Sequence, residues 1–107
     1  MHARVVAEIA ASAGIGLEGI EVQLEDGPEW ADSPLYGYCD PYGEVIILFP
    51  KAFESEEELV RTLAHERTHA FQARLLGPPR DTVDAAAREI AAVASEEGWW
   101  RLYRDRR

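Results

Sequence analysis

Only one cysteine, Cys39, one lysine, Lys51, and one methionine occur in the 107 residues. A lone cysteine cannot close an intramolecular disulfide, and it rules out a zinc site built mainly from thiolates. Long apolar runs are missing too, since nothing approaches the ~20 residues that cross a bilayer as a helix. Positive charge is scarce, and the formal net charge is −9. Residues 1–60 set thirteen acids against Arg4 and Lys51, whereas residues 61–107 set nine bases against seven acids. Such an acidic front half disfavours nucleic acid as a partner, because it repels a phosphate backbone. The basic end, RLYRDRR, is too short to reverse that. The start, MHARVVAEIAASAG, is too short and too acidic for a secretory signal. A cytoplasmic protein with no membrane partner is expected.

What is present is enough to fold. Apolar residues make up 47% of the chain, and this length fits one domain, 1–107, with a real core. Val5, Val6, Ile9, Ala10 and Ala13 recur at helical spacing, and Gly14 is placed to end that first helix. Ile20, Val22 and Leu24 alternate with Glu21, Gln23 and Glu25, which predicts a half-buried strand broken by Asp26-Gly27-Pro28. Leu35–Cys39 and Glu44–Phe49 flank the turn-forming Asp40-Pro41-Tyr42-Gly43 and predict an antiparallel hairpin. Trp30, in the loop before it, is expected to pack into the core. Ser55 with Glu58 makes a capping box ahead of a second helix, whose expected buried stripe is Leu59, Val60, Leu63, Ala64, Phe71 and Leu75. Gly77-Pro78-Pro79 ends it, and Asp81 caps a third helix running from Thr82 to about Tyr103. The fold class predicted is α+β, one antiparallel sheet of three strands with helices packed on it.

The second helix carries His65, Glu66 and His69 in the spacing H-E-x-x-H. Residues four apart on a helix lie one turn above each other on one face. Two imidazoles so placed can converge on one zinc ion at about 2.0–2.1 Å. A charged helix face with two solvated histidines is the plain alternative. A catalytic zinc takes three protein ligands and leaves a fourth position open, so a third ligand is needed. The third helix contains AAAREIAAVAS, in which Ala85, Glu89 and Ala92 share a stripe beside Val83, Ala86, Ile90 and Val93. Small neighbours let another helix approach there, and a carboxylate on such a surface is costly unless paired or bound to metal. Glu89 is the leading candidate and Glu96 the second. Asp84 is explained by helix-end electrostatics, and Cys39 by ordinary strand packing.

His65-Glu66-x-x-His69 with Glu89 twenty positions on, in the next helix, resembles the gluzincins, the thermolysin-type zinc metallopeptidases. In size and layout the chain is most similar to the minigluzincins. The resemblance implies a zincin-like domain with a backing helix, a small sheet, an active-site helix and a C-terminal glutamate helix. It implies Zn2+ on His65, His69 and Glu89, and peptide hydrolysis by zinc-activated water with Glu66 as general base and acid. By the same analogy Glu44–Phe49 is the edge strand that pairs with extended peptide or protein substrate, through Val45, Ile46 and Ile47.

Two features depart from the pattern. Val93 stands where such enzymes place an aspartate that orients a zinc histidine, so another acceptor, such as a backbone carbonyl, must serve. The subdomain that carries the transition-state donor has no room here, which leaves Tyr36, Tyr38, Tyr103 and Arg88 as stand-ins. A weakly active or latent enzyme is therefore expected, with the tail after Trp99 able to cross the cleft and Trp100 and Tyr103 as plugs. The alternative is a non-catalytic zincin-like domain that keeps the metal and acts as a binding or regulatory module.

Overall fold

In chain order the residues form α1 (His2–Ala13), β1 (Glu21–Leu24), a 3-10 turn (Pro28–Trp30), β2 (Gly37–Cys39), β3 (Val45–Leu48), a second 3-10 turn (Pro50–Phe53), α2 (Glu56–Leu76) and α3 (Thr82–Arg106). The structure is a computed structural model that describes residues 2–106. Met1 and Arg107, which ends the basic stretch RLYRDRR, lie outside the described residues. The expected order of helices and strands is the observed one, and the domain is α+β.

The sheet corrects one expectation. Its strand order is β1-β3-β2, with β2 antiparallel to β3 but β1 parallel to it. Parallel neighbours need a crossover of about a dozen residues or more, and residues 25–44, which include β2, supply it between β1 and β3. The chain leaves β1, passes through the Pro28–Trp30 turn, and returns along β2 at the far edge. β3 then fills the gap between them. The strand expected at the edge, with Val45, Ile46 and Ile47, is therefore central, and both its edges are paired.

Registration sorts the side chains. Val22 pairs with Ile46 and Leu24 with Leu48, while Cys39 lies opposite Ile46 and Gly37 opposite Leu48. That inner face meets the helices: Ile46 and Leu48 are fully buried beside Val6, Ile9, Leu59 and Leu63. Gln23, Ile47 and Tyr38 form a row on the outer face, where Tyr38 is exposed. The β2–β3 turn is fixed by Asp40, whose carboxylate accepts from the N–H groups of Tyr42, Glu44 and Val45. Burial pushes the Asp40 carboxyl up, but those N–H groups outweigh it and hold it below its usual value. Trp30 is half-buried and packs on Phe49, with ring centroids 5.2 Å apart.

α2 starts as its sequence predicts, with Ser55 Oγ accepting from Glu58 N at 3.0 Å. It ends at Gly77, whose φ of +76° suits glycine and whose N–H reaches Ala73 O. The expected stripe holds only over its first half. Leu59, Val60, Leu63 and Ala64 are buried, but Phe71 and Leu75 are exposed. The reason is length: a helix of 21 residues runs about 31 Å, whereas strands of four residues reach only ~13 Å. The tail also differs from expectation. Tyr103 is buried in the core with its hydroxyl 3.1 Å from Glu56, and Trp100 stacks on it at 5.9 Å. Neither residue crosses the cleft, because the apolar core claims both.

Candidate metal centre

α2 and α3 form an antiparallel helical hairpin tied by a ladder of polar contacts. From one end these are Arg61 to Glu97, His65 to Glu96, Thr68 Oγ1 to Ser95 Oγ, His69 to Glu89, and Gln72 Nε2 to the Arg88 carbonyl. Ala92 is fully buried between the helices, so a small side chain does allow the close approach. Arg88 closes the ladder. It is buried, donates from Nε and Nη2 to Asp84, and donates from Nη1 to Gly77 O at 2.7 Å. Its donors thus hold the start of α3 against the end of α2, next door to Glu89.

His65 and His69 converge as their spacing predicts. Their Nε2 atoms lie 3.0 Å and 2.8 Å from the same oxygen, Glu89 Oε1. One ligand atom from each of the three residues falls within 4.8 Å of the others. Glu89 reaches this point from a side chain that is 54% exposed. The cost of burying a carboxylate, from which Glu89 is argued in the sequence, therefore does not operate. What sets its position is the pair of histidines.

Both rings are also held from behind. His65 Nδ1 lies 2.7 Å from Glu96 Oε2, and His69 Nδ1 lies 2.9 Å from Gln72 Oε1. Gln72 donates its amide N–H to the Arg88 carbonyl, so its oxygen is the atom left to face His69. With Nδ1 facing these groups, Nε2 is the ring nitrogen left to meet Glu89. Burial pulls His65 down, but the hydrogen bond to Glu96 and the charges of Glu66, Glu89 and Glu96 outweigh it and raise its pKa. Burial likewise pushes Glu89 up, yet its contacts with His69 and His65 hold it below its usual value.

Glu66 turns the other way, under β2. It is 6% exposed and accepts no hydrogen bond among the described residues, and burial raises its pKa against the opposing pull of His65 and His69. Gly37 makes room for it: a Cβ there would lie 2.9 Å from Thr62 Cγ2 and 3.1 Å from Glu66 Cγ. Two cavities, of about 380 and 450 Å³, open on either side, and Gly37, His65, Glu66 and Glu89 line both.

The remaining candidates are outside the convergent group, although Tyr38, Cys39 and Arg88 line the cavity of about 380 Å³ and Tyr36 the one of about 450 Å³. Cys39 is outside the convergent group, and burial pushes its thiol up to about 12. Tyr103 is in the core, and Arg88 directs Nε and Nη2 to Asp84 and Nη1 to Gly77. Tyr36 is exposed, with Lys51 Nζ 5.5 Å from its ring centroid. Val93 is also exposed, and Glu96 supplies the acceptor missing there. Glu96 is seven residues after Glu89, so it lies nearly in line with it two turns on. That spacing is legible in the sequence, as is the three-residue step from His69 to Gln72. Compared with protein-family models, curated proteins and solved structures, the chain matches none.

Proposed function

We propose that this chain is a small zincin-like, zinc-dependent metallopeptidase. One observation carries the reading: two Nε2 atoms meet one carboxylate oxygen beside a buried glutamate whose side chain has no hydrogen-bond partner among the described residues. The donor set fits the group, because two histidines and a glutamate with an open side are a catalytic zinc set. His65, His69 and Glu89 would hold the ion. When bound, zinc polarises a carbonyl and acidifies water. Glu66 then acts as general base, taking a proton during attack and returning it to the leaving amine. Its raised pKa suits a group that must carry that proton.

The same reading assigns substrate pairing to β2 in place of Val45, Ile46 and Ile47. In the β2–β3 ladder Tyr36 O accepts from Phe49 N, and Asp40 N donates to Val45 O. Alternation then turns the main-chain groups of Gly37 and Cys39 away from β3, towards the cleft. An extended peptide added there would lie across Glu66 with the two cavities at its sides. α3 alone forms the lower wall, which offers little remote binding energy and points to weak activity.

The test is peptide hydrolysis by the zinc-loaded chain beside Glu66→Gln. The variant is expected to lose at least ~10²-fold in rate with zinc still bound. The exposed Glu89 side chain, at 54%, favours the second reading, a metal-holding module that binds without cleaving. Zinc in both proteins and turnover in neither would establish that reading instead.

A further inference from the structure

The back of α2 carries a second polar site. Arg67 and Arg74 lie about half a turn around the helix from His65, and they line a cavity of about 270 Å³ with Gly16, Ile20 and Phe71. Both guanidinium groups are fixed. Arg67 donates from Nε to Gly16 O at 2.8 Å and stacks over Phe71 at 4.2 Å. Arg74 donates from Nε to Gly43 O and from Nη2 to Gly19 O.

Neither arginine has a carboxylate partner among the described residues. Arg4, Arg61, Arg80, Arg88, Arg101 and Arg104 each lie within 4.0 Å of an acid. Among the described residues Arg67 and Arg74 do not, nor does Arg106 near the end of α3, which donates to Ser12 O, in a chain with twenty acids. Even Glu18, the one acid lining the cavity, forms no ion pair with them. Carbonyl contacts use one donor of Arg67 and two of Arg74, while a guanidinium has five. Two preorganised forks, their remaining donors unspent, are the arrangement that takes an oxyanion.

We propose that the cavity between Arg67 and Arg74 binds a phosphate group, with Phe71 and Ile20 receiving an apolar body attached to it. Phosphate fits better than a carboxylate because it offers enough oxygens for both forks. Occupancy would tie the α1–β1 loop, through Gly16 and Gly19, to the helix that carries His65 and His69. The site stands independently of the metal reading, because its residues face away from that centre.

The experiment is a titration of the full chain at constant ionic strength, followed by amide and arginine Nε NMR signals. The probes are inorganic phosphate, phenyl phosphate and benzoate. Saturable shifts at Gly16, Gly19 and Arg67 Nε are expected with both phosphates, tighter for phenyl phosphate, and weak or absent with benzoate. Arg67→Lys keeps the charge and loses the fork, so it should weaken phosphate about tenfold. Arg67→Gln with Arg74→Gln should abolish binding, with the dispersed spectrum reporting that the fold survives. Shifts at Gly37 in place of Gly16, equal binding by benzoate, or unchanged binding in Arg67→Lys would each overturn the assignment.

Discussion

Glu96→Ala should weaken zinc binding about 10–100-fold, the usual cost of losing the group behind a metal-bound histidine. The local geometry leads to the same size. Glu96 Oε2 is 2.7 Å from His65 Nδ1, the His65 side chain is 15% exposed, and that of Glu96 is 24% exposed. Nδ1 has no other acceptor among the described residues. Removing Glu96 therefore strands a partly buried N–H, which costs about 1–3 kcal/mol, and a tenfold change corresponds to about 1.4 kcal/mol. Glu96→Gln keeps an acceptor without the charge and should fall between wild type and alanine. Glu97→Ala is the neighbouring control: it loses Arg61 and Arg101 but never touches His65, so zinc affinity should hold. The assay is competition against a chromophoric chelator, with circular dichroism to report the fold. Affinity of Glu96→Ala within about twofold of wild type, in a folded protein, would refute the reasoning that Glu96 holds a metal-bound ring.

Two further outcomes follow from the same side chains. Without metal, His65 and Glu66 both have raised pKa values, so each contributes stability at low pH that is lost as pH rises through its folded value. Glu89, held low, contributes in the opposite sense and loses its share only in acid. The thermal midpoint of the metal-free chain should therefore fall as pH rises past the ordinary histidine value of 6.5. With saturating zinc the trend should reverse, because ligand deprotonation favours binding; parallel trends with and without zinc would contradict this. Gly37→Ala should destabilise the fold by about 1–3 kcal/mol in urea melts, since the new methyl overpacks Thr62 and Glu66. An unchanged midpoint would show that β2 does not press on Glu66.

Local patterns in the chain were strong where short-range chemistry decides the structure. Ser55 with Glu58, Gly77, and Asp81 with Asp84 mark helix ends by capping, and each makes the contact or turn its type demands. The Asp40–Gly43 turn was legible for the same reason. The parallel pairing of β1 was not, because alternation in Ile20–Leu24 sets which side chains face inward and not which neighbour the strand meets. The edge assignment of Val45–Ile47 failed with it. The exposed half of α2 shows a similar limit: Phe71 and Leu75 keep the helical period after the sheet beneath them has ended. At the candidate centre, His65, His69 and Glu66 follow from a four-residue spacing, whereas Glu89 was reached by a burial argument that its exposure does not support. Glu96 and Gln72 were visible as helical neighbours, but only the packed hairpin gives each a ring nitrogen to face.

Metal content of the purified chain beside Glu89→Ala tests the central claim most directly. One equivalent of zinc in the wild type, retained through gel filtration and lost or much weakened in the folded variant, is the predicted result. No zinc in the wild type after reconstitution, or an undiminished equivalent in Glu89→Ala, would contradict a centre built from His65, His69 and Glu89.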